Sequence, residues 1–235
     1  MTDWTSKTQP LSVQPANNIR FYILMFATVI GTLLVILLNP GTVDGQFNPL
    51  FEEGGFIEGL SPMGYVFCVL LIIAHGGFRF AFTRALPLVV VLLAMTLREL
   101  NFHVLFTSMS IEKLDFYTSP AVPLHQKVIA FLVIALVAAA VLLLIVRHGR
   151  VFLAGLWKLD PVSLGTALAI GEILLSKSID GINNRLADIG YFMSDETTNM
   201  FAKVEETAEL GISLYAIIAI LAYFGSARDD MGESR

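Results

Sequence analysis

Six apolar runs, each long enough to cross a bilayer, dominate this chain and leave it few folds to choose from. They cover about 19–38, 59–78, 86–106, 127–147, 160–179 and 204–224. At about 1.5 Å of rise per residue, roughly 20 residues span the roughly 30 Å hydrocarbon core. In lipid, a helix satisfies its backbone groups within its own segment, so the pattern predicts an all-α integral membrane bundle of six transmembrane helices. Residues 1–18 and 225–235 are read as cytoplasmic tails, the first of them mobile, on either side of a six-helix domain over 19–224.

Composition agrees with that class. Hydrophobic residues make up 55% of the chain and charged residues 15%, where soluble domains carry about 25% charged. The net charge of -5 comes without a basic stripe, which argues against a nucleic-acid partner. The single cysteine, Cys68, lies within an apolar run and reads as a small packing residue. The first apolar run exceeds the roughly 7–15 residues of a signal-peptide core, and no small-residue cleavage pattern follows it. Asn39-Pro40-Gly41 instead reads as a helix stop.

Lysine and arginine counts orient the bundle. Lys7 and Arg20 precede the first span, Arg79 and Arg84 follow the second, and Arg147, Arg150 and Lys158 separate the fourth from the fifth. Acids dominate alternate loops, with Asp44, Glu52 and Glu53 in one and Asp188, Asp195 and Glu196 in another. The positive-inside rule then places both termini in the cytoplasm of a multi-pass protein of a bacterial inner (plasma) membrane. Membrane lipids are the expected surroundings, with a membrane-protein partner or a second copy as further contacts.

Three spans carry ionisable residues. Each such residue costs about 2.5–3.5 kcal/mol on insertion scales, so it is expected to face protein or water. Arg98, Glu99 and His103 lie in the third run; Glu172, Ser176, Lys177 and Asp180 in the fifth; Glu205, Glu206, Glu209 and Ser213 in the sixth. The alternating direction of the spans predicts that all three stripes occupy the outer half of the membrane. Carboxylates outnumber cations there, and neighbouring carboxylates in a poor dielectric cannot all be charged. A proton, a metal ion or a cationic group would relieve the repulsion.

Glu99 and His103 are four residues apart, which places them on one face of a continuous helix. His125, at the start of the fourth span, and Glu209 would complete a tentative metal set for zinc or another divalent ion, with an open position for catalysis. A structural ion-pair network, with Arg98 and Lys177 answering nearby carboxylates, is the competing reading. His75 and His148 fall near the cytoplasmic side. Ser61 and Ser176 are possible nucleophiles, but no G-x-S-x-G motif is present.

The strings Gly55-Phe56-Ile57-Glu58-Gly59-Leu60-Ser61, Arg98-Glu99-Leu100-Asn101-Phe102-His103 and Val204-Glu205-Glu206-Thr207-Ala208-Glu209-Leu210 resemble motifs of uncharacterised bacterial polytopic inner-membrane proteins. That resemblance covers the chain from about Glu53 onward. A fainter one is to alkaline-ceramidase-like intramembrane hydrolases, and it implies a polar metal site within a helical bundle. This chain lacks their closing H-x-x-x-H and has six spans rather than seven. The leading expectation is a metal-dependent hydrolase or transferase acting on a lipid or lipid-linked substrate. Glu99, His103, Glu172 and Glu209 would be ligands or acid–base groups, and Arg98 or Lys177 would stabilise developing negative charge. The alternatives are a proton- or cation-coupled transporter or binding protein, and an accessory membrane subunit.

Overall fold

The computed structural model describes residues 15–40, 42–43, 46–51, 55–102, 107, 111 and 114–232. Most of the first expected tail, Asp44, Glu52, Glu53 and His103 lie outside them. Eight helices and one small antiparallel ladder make up the described chain: α1 (Pro15–Leu38), β1 (Thr42–Val43), β2 (Gln46–Phe47), α2 (Phe56–Ala81), α3 (Leu86–Glu99), α4 (Leu114–Thr118), α5 (Leu124–Trp157), α6 (Pro161–Ile179), α7 (Ile182–Asp188) and α8 (Asp195–Gly232). Five of them, α1, α2, α5, α6 and α8, are long and apolar enough to cross a membrane.

Proline and aspartate set the helix starts. Asp160 caps α6 by accepting from the Ser163 backbone at 3.0 Å, and Pro161 takes the first helical position, where its missing N–H costs nothing. Gly77 breaks α2 near its end with φ 77° and ψ 164°, a conformation open to glycine, and one further turn follows it. The apolar stretch Val151–Trp157 continues α5 past Arg147 and Arg150.

The third expected span differs most from its sequence reading. Helix α3 stops at Glu99, not at residue 106. Leu100 and Asn101 fold back onto the carbonyls of Thr96 and Arg98, and Asn101 takes a positive φ of 52°. Asparagine tolerates that left-handed conformation better than most residues. At 14 residues, α3 rises about 21 Å, short of a full crossing.

Helix α8 stands at the centre, packed on α6 and α2 along their length and on α1 at one side. Helix α3 rests on α2 and α5, and α5 lies at the periphery. Small residues let the helices approach, the packing device favoured where lipid supplies no hydrophobic drive. A side chain at Gly64 would run into Ser213, and a Cβ at Gly165 would lie 3.2 Å from that of Ala219. The apolar core gathers around Tyr65, Cys68, Ile72, Ile212 and Tyr215. Lys203, buried near the start of α8, donates to the carbonyls of Ile36 at 3.0 Å and Asn39 at 2.8 Å, fastening α8 to the end of α1.

Candidate functional site: a carboxylate cluster between the helices

The buried face of α3 runs Val89, Leu92, Thr96, Glu99, with spacings of three and four residues. Helix geometry thus carries Glu99 into the bundle, where its side chain is only 4% exposed. Arg98, one residue earlier, turns along the same surface and bridges two helices. Its guanidinium lies 3.2 Å from a Glu99 carboxylate oxygen and 3.2 Å from Glu209 of α8. The two buried carboxyls thus share one guanidinium, and the charge of Glu209 bears on Glu99. From α6, the buried Ser176 hydroxyl donates to the same Glu209 oxygen at 3.1 Å. Residues from α3, α6 and α8 therefore meet on Glu209.

Further acids surround this knot. Glu172 lies one turn before Ser176 and packs on Gly211, which has no side chain to hold it off; a Cβ there would be 3.3 Å from the carboxyl carbon. Glu205 and Glu206, half-buried on α8, both feel the charge of Glu209. Glu58, in the first turn of α2, acts electrostatically on Glu99 and Glu206. Arg98 is the one cation seen in contact with the knot among the described residues. Lys203 is committed to backbone carbonyls of α1.

The other sequence-predicted residues divide. Lys177 pairs at 2.8 Å with Asp180 at the rim, where both are more than 40% exposed. That hydrogen bond holds the Asp180 carboxyl below the usual carboxylate range. Arg98, not Lys177, is the cation that answers buried carboxylates. His125 is exposed in the first turn of α5. His75 lies against Phe224 with tilted rings 5.5 Å apart, and His148 is exposed on α5.

His103 lies outside the described residues, and α3 ends at Glu99. Among the described residues, no group of three His, Cys, Asp or Glu side chains is placed to hold a metal ion. Of the tentative set of Glu99, His103, His125 and Glu209, Glu99 and Glu209 meet at Arg98, while His125 is exposed at the start of α5.

Sequence reasoning passed over one contribution. Glu58, Ser61 and Tyr65 recur on one face of α2 at three- and four-residue spacing, and Tyr65 feels the charges of Glu99, Glu209 and Arg98. The signal was available in that spacing; Ser61 reads only as a nucleophile, and a tyrosine among apolar residues passes as packing. Comparison with family models, curated proteins and solved structures finds no match in any of the three, so the functional assignment rests on the site itself.

Proposed function

We propose that this protein is a proton- or cation-coupled membrane transporter or binding protein whose working group is the Glu99–Glu209 carboxyl pair. One observation carries the reading: two buried carboxyls from different helices meet a single guanidinium, that of Arg98, at 3.2 Å each. One guanidinium balances one carboxylate, and a proton shared by the pair would balance the other. Losing that proton leaves two anions facing one guanidinium, with Glu58, Glu172, Glu205 and Glu206 close by, and a cation would restore the balance. Ionisable groups inside membrane spans commonly mark proton relays and ion paths.

The same reading places the protein in a bacterial inner membrane with six spans. Helix α3 belongs to the third crossing, and both termini are cytoplasmic. The loop charge bias supports it. Cysteine substitutions at Ser119 and Asp195 are then expected to react with an impermeant label from the periplasm, and those at Arg84 and His148 to stay silent. Labelling of Arg84 from outside overturns the orientation.

Function is tested in sealed liposomes enclosing a pH-sensitive dye. An imposed sodium or potassium gradient is expected to move protons across vesicles carrying the wild-type chain. Glu99→Gln and Glu209→Gln are each expected to abolish the movement. In the isolated protein, a protonated-carboxyl infrared band is expected to disappear in one of these variants. Vesicles that stay proton-tight under every gradient, together with no such band, overturn the proposal.

A further inference from the structure

Three contacts fix the register of α6 against α8. A Cβ at Gly165 would lie 3.2 Å from that of Ala219, and one at Gly211 3.3 Å from the Glu172 carboxyl carbon. Between them and the end of α6, Ser176 donates to Glu209 at 3.1 Å. As the numbers rise along α6 they fall along α8, so the two helices are antiparallel and stay in step. One turn further, roughly 6 Å over four residues, the same register sets Asp180, at the end of α6, level with Glu205. The charges agree. Glu205 feels Asp180 and Lys177 across the seam, Glu209 on its own helix and Arg98 from α3. Glu206, its neighbour on α8, feels Glu205 in turn.

The two halves of this seam differ. Toward the start of α6, residues 161–171 carry no charge, and Gly165 and Ala169 are buried. Ala219 and Met25 close over Gly165, within 3.2 and 3.1 Å of where a Cβ would stand. Toward the end of α6 the seam carries acids and opens by steps. Side-chain exposure is 49% at Asp180, 9% at Glu209 and 4% at Glu99, with Glu205 half-buried between rim and pair. At the mouth, Lys177 holds the Asp180 carboxyl at 2.8 Å and Arg185 donates to the Asp180 backbone carbonyl.

We propose that the α6–α8 seam is a one-sided proton path, in which Glu205 carries protons between the mouth at Asp180 and the Glu99–Glu209 pair. The inference rests on the carboxyl-pair reading above and gives it a direction. Glu205 and Glu209 are four residues apart on one face of α8, with Cβ atoms about 5–6 Å apart. A carboxyl at that spacing can pass a proton directly or through one water. A proton from water binds the Glu205 carboxylate, moves to Glu209 and leaves Glu205 a carboxylate again, so no other reactant is consumed. In the orientation proposed above, the mouth faces the periplasm. Glu172 is the last carboxyl before the closed half, and release to the other side requires the contact at Gly165 to part.

Two measurements test the path. An impermeant cationic thiol reagent is applied in turn to each side of oriented vesicles, with Asp195→Cys marking the side on which α8 begins. Wild type is the blank, since Cys68 is its one cysteine and is fully buried. Glu205→Cys is expected to react from the Asp195 side only, and Ala169→Cys, in the closed half, from neither. In the liposome assay, Glu205→Gln is expected to slow proton movement about a hundredfold, the lower end for loss of a positioned proton-transfer group. Glu205→Asp is expected to recover most of the rate, and Glu196→Gln, at an exposed acid in the first turn of α8, to keep all of it. Glu205→Gln is expected to unfold at or above the wild-type temperature, because it removes a like charge from beside Glu209, so a lost rate does not reflect misfolding. A wild-type rate in Glu205→Gln, a silent Glu205→Cys, or reaction of Ala169→Cys from the side opposite Asp195 overturns the path and leaves the carboxyl-pair reading standing. Wild-type vesicles that move no protons overturn both.

Discussion

Helix α5 is the most apolar long segment of the chain, yet only 11% of its membrane-length stretch is buried within the protein. Helix α8 carries Lys203, Glu205, Glu206 and Glu209, and 56% of its stretch is buried. A soluble protein would reverse the two. Here the apolar helix is left for lipid, and the polar one is surrounded by α1, α2 and α6. Charge in the hydrocarbon is tolerable only against protein or water. Between these two helices, burial therefore follows polarity instead of hydrophobicity. It is also why the candidate site lies on α8.

The strongest test of this contrast removes the cation that α8 depends on. Arg98→Ala strands Glu99 and Glu209 together. It is expected to destabilise the bundle by about 3 kcal/mol, at the low end for a broken buried pair because Arg98 is 27% exposed. Adding Glu209→Gln is expected to restore part of that stability, which a double-mutant cycle in detergent unfolding would show. Additive losses would mean that the two groups do not share one network.

Packing tests the same contrast at a smaller scale. Gly64→Val forces a side chain into Ser213 and is expected to cost about 1–3 kcal/mol. Leu142→Ala on the exposed face of α5 is expected to stay within about 0.5 kcal/mol. Thermal unfolding of both variants gives the ranking. A larger loss at Leu142 would show that α5 is covered by protein.

The smallest effect lies at the rim. Because Lys177 holds the Asp180 carboxyl low, the pair's stabilisation is complete above the ordinary aspartate value of about 3.9. It fades as the pH falls below that value through the lower folded one. Both side chains are more than 40% exposed, so solvent and salt screen the pair and the effect is slight. Unfolding midpoints of wild type and Asp180→Asn, compared across pH 3 to 6, are expected to converge below about pH 4. Added salt is expected to narrow the gap at higher pH.

Much of this arrangement was legible in the chain because the bilayer imposes a strict length and penalises charge. The long apolar helices follow from run length, and the meeting of Arg98, Glu99, Ser176 and Glu209 follows from helical spacing. The end of α3 did not show, since Leu-Asn after Glu99 has neither glycine nor proline and the apolar run continues past it. The continuation of α5 through Arg147 and Arg150 was also hidden. Long basic side chains can reach water from a continuous helix, so charge alone does not mark its end. The contribution of α2 was only half legible: Ser61 reads as a nucleophile, whereas the closeness of Tyr65 to Glu99 and Glu209 depends on packing that residue type does not reveal.

The fastening of Lys203 to Ile36 and Asn39 joins segments more than 160 positions apart, and this affects the order of assembly. A ribosome delivers α1, α2 and α6 to the membrane before α8 exists. During that interval, Ser176 and Arg98 have no Glu209 to meet, and the small-residue faces that receive α8 look onto lipid. Emergence of α8 completes the charge network and latches it to the first helix made. A nascent chain stalled before residue 195 is thus a set of inserted but unjoined helices, the kind of species membrane quality control removes.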